Sequence, residues 1–258
     1  MRSKKLSTIL LTSTLMMALA ATPVSQVIVH ADDQVATSTS SASSTQTHTL
    51  NKSYVVYGAG AADKDELSNI LGVNNDFTTL TATASDYQKY LNTNDSTTNA
   101  AMVSSVSKVP TDPGSGVKVN VKKFNGQSNI TKVTAQQYAM VAQMAGVTDV
   151  TITVSANRPV SGESALTGVY KALSEDGINL NNQNTQSANQ MLSATNDAID
   201  ANKNDSSYPG KLMAAVGDTT KQINKQKRQG EQPTQVQIEN ILNQNLKKQN
   251  IYNETKNH

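Results

Sequence analysis

The 258-residue chain contains no cysteine and only three histidines. Without cysteine there can be no disulfide, thiolate metal site, cysteine nucleophile or lipid-modified N-terminal cysteine. The histidines are His30, His48 and His258, all outside the stretches with a folding pattern, so imidazole is missing as a general base or metal ligand. Ser-His-Asp catalysis and metal or haem ligation through histidine are removed with it. No cofactor and no metal is expected, and an enzyme would have to work through carboxylates, Ser/Lys pairs, tyrosine or arginine.

Long apolar runs are absent too, apart from the uncharged stretch Leu6 to Ala21. It follows Lys4 and Lys5 and leads to a small-residue site at Val29-His30-Ala31 and the pair Asp32-Asp33. This is the layout of a cleavable secretory signal, and the run is short for a bilayer span of ~20 apolar residues. Residues 1–31 are read as the signal, with a secreted, extracellular chain beginning near Asp32 and no membrane association after cleavage. An excess of either charge is also lacking. Removing Arg2, Lys4 and Lys5 from the 22 basic residues leaves 19 against 20 acidic ones, a balance of −1. Neither nucleic acid nor anionic lipid finds a basic footprint in such a chain.

Residues 32–49 are almost wholly Ser, Thr, Ala and Gln, too polar to bury a core, and are expected to be a disordered tether. Residues 50–177 hold most of the Val, Ile, Leu, Met and Tyr. Within them Tyr54–Tyr57 reads as a strand, and Asp63 with Glu66 reads as a capping pair opening a helix that Gly72 closes. Phe77–Thr83 reads as a strand, followed by a helix capped by Ser85 with Gln88 and bearing Tyr87, Tyr90 and Leu91. Asn92–Asn99 reads as a polar loop. Strands at Ala101–Val109 and Val117–Phe124 flank Asp112-Pro113-Gly114-Ser115-Gly116, which predicts a β-hairpin. Thr134 and Gln137 cap a further helix ending at Gly146, with a strand at Val150–Val154.

Leu71-Gly72-Val73 is echoed by Ala145-Gly146-Val147, each before a strand, as two tandem β-α-β-α units would produce. After Gly177, Asn and Gln supply 26 of the last 80 residues. Helical stripes persist through Ala188, Met191, Leu192, Thr195 and Ile199; Leu212, Met213, Val216 and Ile223; and Ile238, Ile241, Leu242 and Leu246. They predict three amphipathic helices over residues 178–251 with amide-rich outer faces, and residues 252–258 read as a frayed tail. The expected fold is therefore α/β: a mixed sheet of two tandem β-α-β-α-like units and a hairpin, followed by an α-helical region.

Four patterns bear on chemistry. Gly58-Ala59-Gly60-Ala61-Ala62-Asp63 has two glycines of a dinucleotide loop, but Asp63 would oppose a pyrophosphate at the helix start. Ser105-Val106-Ser107-Lys108 matches Ser-x-x-Lys, which needs a helix, whereas this segment reads as a strand. Val216-Gly217-Asp218-Thr219-Thr220 resembles a lysin-motif fragment without its preceding strand. Finally, Arg158-Pro159-Val160-Ser161-Gly162-Glu163-Ser164 is a turn feeding a helix, whose amides and side chains could hold an anion or carbonyl. Arg158, Ser161, Gly162, Glu163 and Ser164 are the candidate ligand contacts. The competing reading makes Ser161 an N-cap and gives Gly162 and Gly168 a packing role.

Tyr57-Gly58-Ala59, Leu71-Gly72-Val73, Gly114-Ser115-Gly116-Val117-Lys118-Val119, Ala145-Gly146-Val147 and Pro159-Val160-Ser161-Gly162 with Ala165-Leu166-Thr167-Gly168 resemble the YpuA-like family of exported Gram-positive bacterial proteins. The resemblance runs from about Lys52 to Leu173 and more weakly to Ile251. It implies secretion by a Gram-positive bacterium and brings no established activity, since the family is a domain of unknown function. Its members carry acidic C-terminal helices where this chain has Asn and Gln. The function expected is a non-catalytic binding or structural module at the bacterial envelope, with a cell-envelope polymer or surface protein as partner. The alternative is a hydrolase or transferase of cell-wall polymers using carboxylates such as Glu163, Asp86 or Asp149.

Overall fold

The computed structural model describes residues 26–30, 35–39, 49–91, 96–180, 182–231 and 233–256. Along the chain these form β1 (Gln26–His30), β2 (Val35–Thr39), β3 (Tyr54–Gly58), α1 (Lys64–Leu71), β4 (Thr78–Ala82), α2 (Ala84–Leu91), β5 (Ser105–Pro110) and β6 (Val117–Val121). Then follow α3 (Ala135–Met144), β7 (Val150–Ser155), α4 (Glu163–Glu175), α5 (Asn182–Ala201), α6 (Tyr208–Arg228), α7 (Gln235–Lys248) and α8 (Tyr252–Lys256). The strands make one mixed sheet in the order β1-β2-β6-β7-β5-β3-β4, and the fold is α/β with a helical C-terminal region.

Two parallel pairs, β3 with β4 and β6 with β7, are each joined through a helix, α1 and α3, and each second strand leads into another, α2 and α4. The Leu-Gly-Val echo is a shared helix ending. Gly72 (φ 70°) and Gly146 (φ 87°) both turn left-handed. In each case the glycine N–H and that of the following valine bond back into the helix, to Asn69 O and Ser68 O in one and to Gln143 O and Ala142 O in the other.

The hairpin between β5 and β6 is not formed, because β7 lies between them, antiparallel to β5 and parallel to β6. The Pro-Gly segment instead passes the start of β7, where Thr111 N–H donates to Asp149 O and Gly116 N–H to the Asp149 carboxylate at 2.9 Å. A β-branched run such as Val150-Thr151-Ile152-Thr153-Val154 has two edges to pair, and the centre of the sheet satisfies both. A tight turn occurs one step later. Phe124 and Gln127 exchange main-chain hydrogen bonds around Asn125 (φ 48°) and Gly126 (φ 78°), the Asn-Gly geometry of a two-residue turn.

Several expected ends also differ. Asp63 sits left-handed (φ 52°) and makes no capping bond. The cap of α2 is Thr83 rather than Ser85: Thr83 N–H and hydroxyl donate to Asp86, and Asp86 N–H donates to Thr83 Oγ1. Thr134 and Gln137 form the expected capping box. Val35–Thr39, within the tether, pairs with β6, since main-chain pairing needs no apolar side chains. Residues 1–25, 31–34, 40–48 and 92–95, which include the apolar run of the expected leader and part of the polar loop, lie outside the described residues. The expected frayed tail contains α8, seated by a hydrogen bond between the Tyr208 and Thr255 hydroxyls.

Helices pack on both faces of the sheet, although the α1 face stays open at Thr79, Thr81 and Lys118, which are exposed. On one, Val55, Tyr57 and Phe124 pack with Leu67 and Leu71 of α1. On the other, Val56, Val106, Val119, Ile152 and Val154 share a single core with Leu166, Val169 and Tyr170 of α4 and with Met191, Leu212, Ile223, Leu242 and Leu246. The stripes of α5 and α6 thus face the sheet domain, while that of α7 packs on α6. Their amides are not all outside: Gln137 Nε2 donates to Thr195 and Asn196, joining α3 to α5, and buried Asn245 donates to Thr219, joining α7 to α6. Directional bonds of this kind fix helix register where apolar contact alone would permit sliding.

Candidate functional site

The residues from Arg158 to Ser164 form the joint between β7 and α4, and their polar groups are engaged internally. Arg158 is exposed and donates to Ala100 O at 2.8 Å. Val160 and Ser161 pair with the 129–133 strand-like segment: Val160 N–H donates to Asn129 O, and Ser161 O accepts from Lys132 and Val133. The Ser161 hydroxyl donates to Glu163 Oε2 at 3.0 Å and accepts from Glu163 N–H at 3.4 Å, so Ser161 stands one residue before the N-cap, which is Gly162.

Gly162 is buried with φ 104°, and its carbonyl accepts from the Tyr138 hydroxyl at 2.7 Å. A Cβ there would stand 2.5 Å from Tyr138 Oη and 2.9 Å from Ile130 Cγ2. Ser164 is buried and donates to Ser104 O, while Ala165 N–H donates to the Ser104 hydroxyl at 2.8 Å. The start of α4 is therefore capped by a residue from the segment before β5. A Cβ on Gly168 would lie 2.8 Å from Val106 Cγ1, the expected close seating of helix on sheet. The structure brings all five candidate contacts together in one joint, with the hydrogen bonds just described running within the protein.

The Gly58–Asp63 loop has a comparable explanation. Ala59, Gly60 and Ala61 direct their N–H groups to Ala82 O, Met102 O and Gly58 O, leaving none of the three for a phosphate. A Cβ on Gly58 would come within 2.1 Å of Met102 O, and one on Gly60 within 2.4 Å of Ala100 O. Val216–Thr220 lies inside α6, where the hydroxyls of Thr219 and Thr220 bond back to Ala215 O and Val216 O.

Ser105 and Lys108 are on opposite faces of β5. The Ser105 hydroxyl accepts from Gly58 N–H, and the Lys108 amine donates to Val169 O at 3.3 Å beneath α4. Lys108 is fully buried, and burial holds its pKa well below the ordinary lysine value against a smaller opposing effect of Asp176. Beside it Tyr54 donates to Asp176 at 2.9 Å, its own pKa pushed up to about 12 by burial and by that carboxylate. The sequence offered a signal for this burial, because Lys108 alternates with Val106 on an inward-facing register.

The three carboxylates of the enzymatic alternative belong to different joints. Asp86 accepts from Thr83 and from Lys171 Nζ at 2.7 Å. Burial raises its pKa, but the bonds from Lys171 and Thr83 outweigh it and hold the carboxyl below its ordinary value. Asp149 accepts from Gly116 N–H and the Thr148 hydroxyl, and Glu163 from Ser161. Among the described residues no three or more His, Cys, Asp or Glu gather as metal ligands, and no helix is long and apolar enough to cross a membrane.

An open groove of about 400 Å³ lies elsewhere, between the end of α2, the α4–α5 connection and the first turn of α5. Ser174, Ile178, Leu180 and Thr185 line it with Lys89 and Tyr90. Lys89 Nζ lies 4.8 Å from the Tyr90 ring centroid, and Tyr90 stacks on Tyr170 with centroids 6.1 Å apart. Sequence reading placed Tyr90 on a helix and Gly177 at the boundary of the α/β region without seeing that the two border one hollow. The volume falls in the range of small-molecule sites.

Residues 57–258 match the family described as "Protein of unknown function (DUF1002)", and the chain belongs to it. No curated protein and no solved structure matches the chain.

Proposed function

We propose that the chain is an exported, non-catalytic module that binds or braces a component of the Gram-positive envelope, with the Lys89–Tyr90 groove as its contact. The observation that supports this most is the engagement of Asp86, Asp149 and Glu163 in three separate structural joints, so that no two of these three carboxylates share a joint. The leader layout and the resemblance to YpuA-like exported proteins support the location.

The test incubates the chain from Asp32 onward with purified cell-wall sacculi. Co-sedimentation without release of soluble sugar or peptide fragments is expected, reduced by Lys89→Gln. Sustained fragment release that Asp86→Asn or Glu163→Gln abolishes would establish the hydrolase instead. Intact-mass analysis of culture supernatant checks export: the expected species starts near Asp32, and a secreted form retaining Met1 would refute the cleavage.

A further inference from the structure

We propose that Lys108 makes the seating of α4 on the sheet acid-sensitive: when its amine takes up a proton, the C-terminal half of α4 and the connection to Leu180 loosen from β3 and β5. This does not depend on what, if anything, the groove binds.

Lys108 lies on the inward face of β5, with Tyr54 of β3 and Ile152 of β7 as its cross-strand neighbours and α4 above. None of its side chain reaches solvent. An ammonium has three N–H donors, and among the described residues its hydrogen-bond acceptor is the Val169 carbonyl oxygen. The ion pairs among the described residues are Lys171–Asp86, Lys211–Asp205 and Lys248–Asp218, so Lys108 has no carboxylate at contact distance. A neutral amine donating one hydrogen bond fits this place, whereas a buried unpaired ammonium does not.

The titratable and charged groups that face it are few. From β3 comes Tyr54, whose hydroxyl is turned to Asp176. From the end of α4 come Asp176, the one charge acting appreciably on Lys108, and Glu175, which acts on Tyr54. Ile152 adds none from β7. Asp176 is itself occupied, accepting from Asn51 N–H, Asn51 Nδ2 and the Tyr54 hydroxyl, and these bonds tie the end of α4 to the start of β3.

A protonated Lys108 can gain water or a share of Asp176 only if α4 lifts there, breaking that tie. Ser174 and Ile178, which wall the groove, belong to the same end. Acid would therefore act first on the groove wall, well before the sheet itself opens.

The experiment is amide hydrogen exchange on the full chain, read by mass spectrometry and corrected for intrinsic rates. Between about pH 9 and about pH 5, peptides covering Val169–Leu180 should lose about tenfold more protection than peptides from β6 and β7. In Lys108→Met, which keeps a similar volume without the charge, this differential loss should vanish. A uniform response in the unaltered chain, or an undiminished differential in the variant, overturns the proposal. If the variant does not fold, the lysine Cε resonances of the unaltered chain decide: Lys108 should titrate below the other lysines, and titration together with them refutes the idea.

Discussion

Replacing Gly162 by alanine tests the joint between β7 and α4. The new Cβ would meet Tyr138 Oη at 2.5 Å and Ile130 Cγ2 at 2.9 Å, and the backbone would hold an L-residue at φ 104°. Overpacking of this kind costs about 1–3 kcal/mol, and a left-handed conformation adds about 1–2. Displacing the Tyr138 hydroxyl would also cost its buried bond to Gly162 O, worth about 1 kcal/mol net or more if left unpaired. The three effects share atoms and do not add fully, so about 3–5 kcal/mol is expected. Gly72→Ala isolates the conformational part, since Gly72 has φ 70° and nothing within 4 Å of its would-be Cβ. Urea melts of both variants should show similar slopes, with Gly72→Ala lowering stability by about 1 kcal/mol and Gly162→Ala by at least about 2 kcal/mol more. Equal losses would mean that the segment around Ile130 yields freely and that the joint is not tightly packed.

Three further outcomes are expected. The folded-state pKa of Asp86 is depressed, so its contribution is present above the unfolded value of about 3.9 and is lost as pH falls through the folded value. Asp86→Asn should therefore flatten the decline of the urea midpoint below about pH 4. Asn245→Ala removes the donor to Thr219 and the acceptor from Gln222, and a cost of about 1–3 kcal/mol should appear in thermal melts. Glu163→Gln should change stability by less than about 1 kcal/mol in the same melts, because an acid in a first helical turn gains modestly from the helix dipole.

Local chemistry was legible where a residue type has one dominant use. Thr134 with Gln137 announced a capping box, Gly72 and Gly146 announced helix endings, and the 3.6-residue stripes located α5, α6 and α7 within an Asn/Gln-rich region. Where two neighbours compete for one role, spacing was ambiguous: Thr83-Asp86 and Ser85-Gln88 both fit a cap, and the side chain that could reach the first free N–H groups won. Pro113-Gly114 was read as the hairpin turn and Asn125-Gly126 was passed over, although the main-chain bonds close around the second, between Phe124 and Gln127. Pairing partners depend on tertiary contacts that no local window contains, which hid the insertion of β7. The groove was hidden for the same reason, since Lys89 on α2 and Thr185 on α5 come together only when those two helices pack. The candidate contacts at Arg158–Ser164 were found as a cluster because turn chemistry is local, and their engagement with Ser104, Asn129 and Tyr138 was not, because those residues are distant in sequence.

The position of β7 also dictates an order of assembly. β5 and β6 are separated by six residues, yet neither can complete its hydrogen bonds until the chain has been made through Ser155. Loop closure over such distances precedes the reward of pairing, which slows folding relative to a fold of adjacent hairpins. A chain halted before Val150 would present two open strand edges across a gap one strand wide, and open edges invite pairing with other chains. The vulnerable interval in the life of this protein ends when six β-branched and small residues, Val150-Thr151-Ile152-Thr153-Val154-Ser155, slide into that gap.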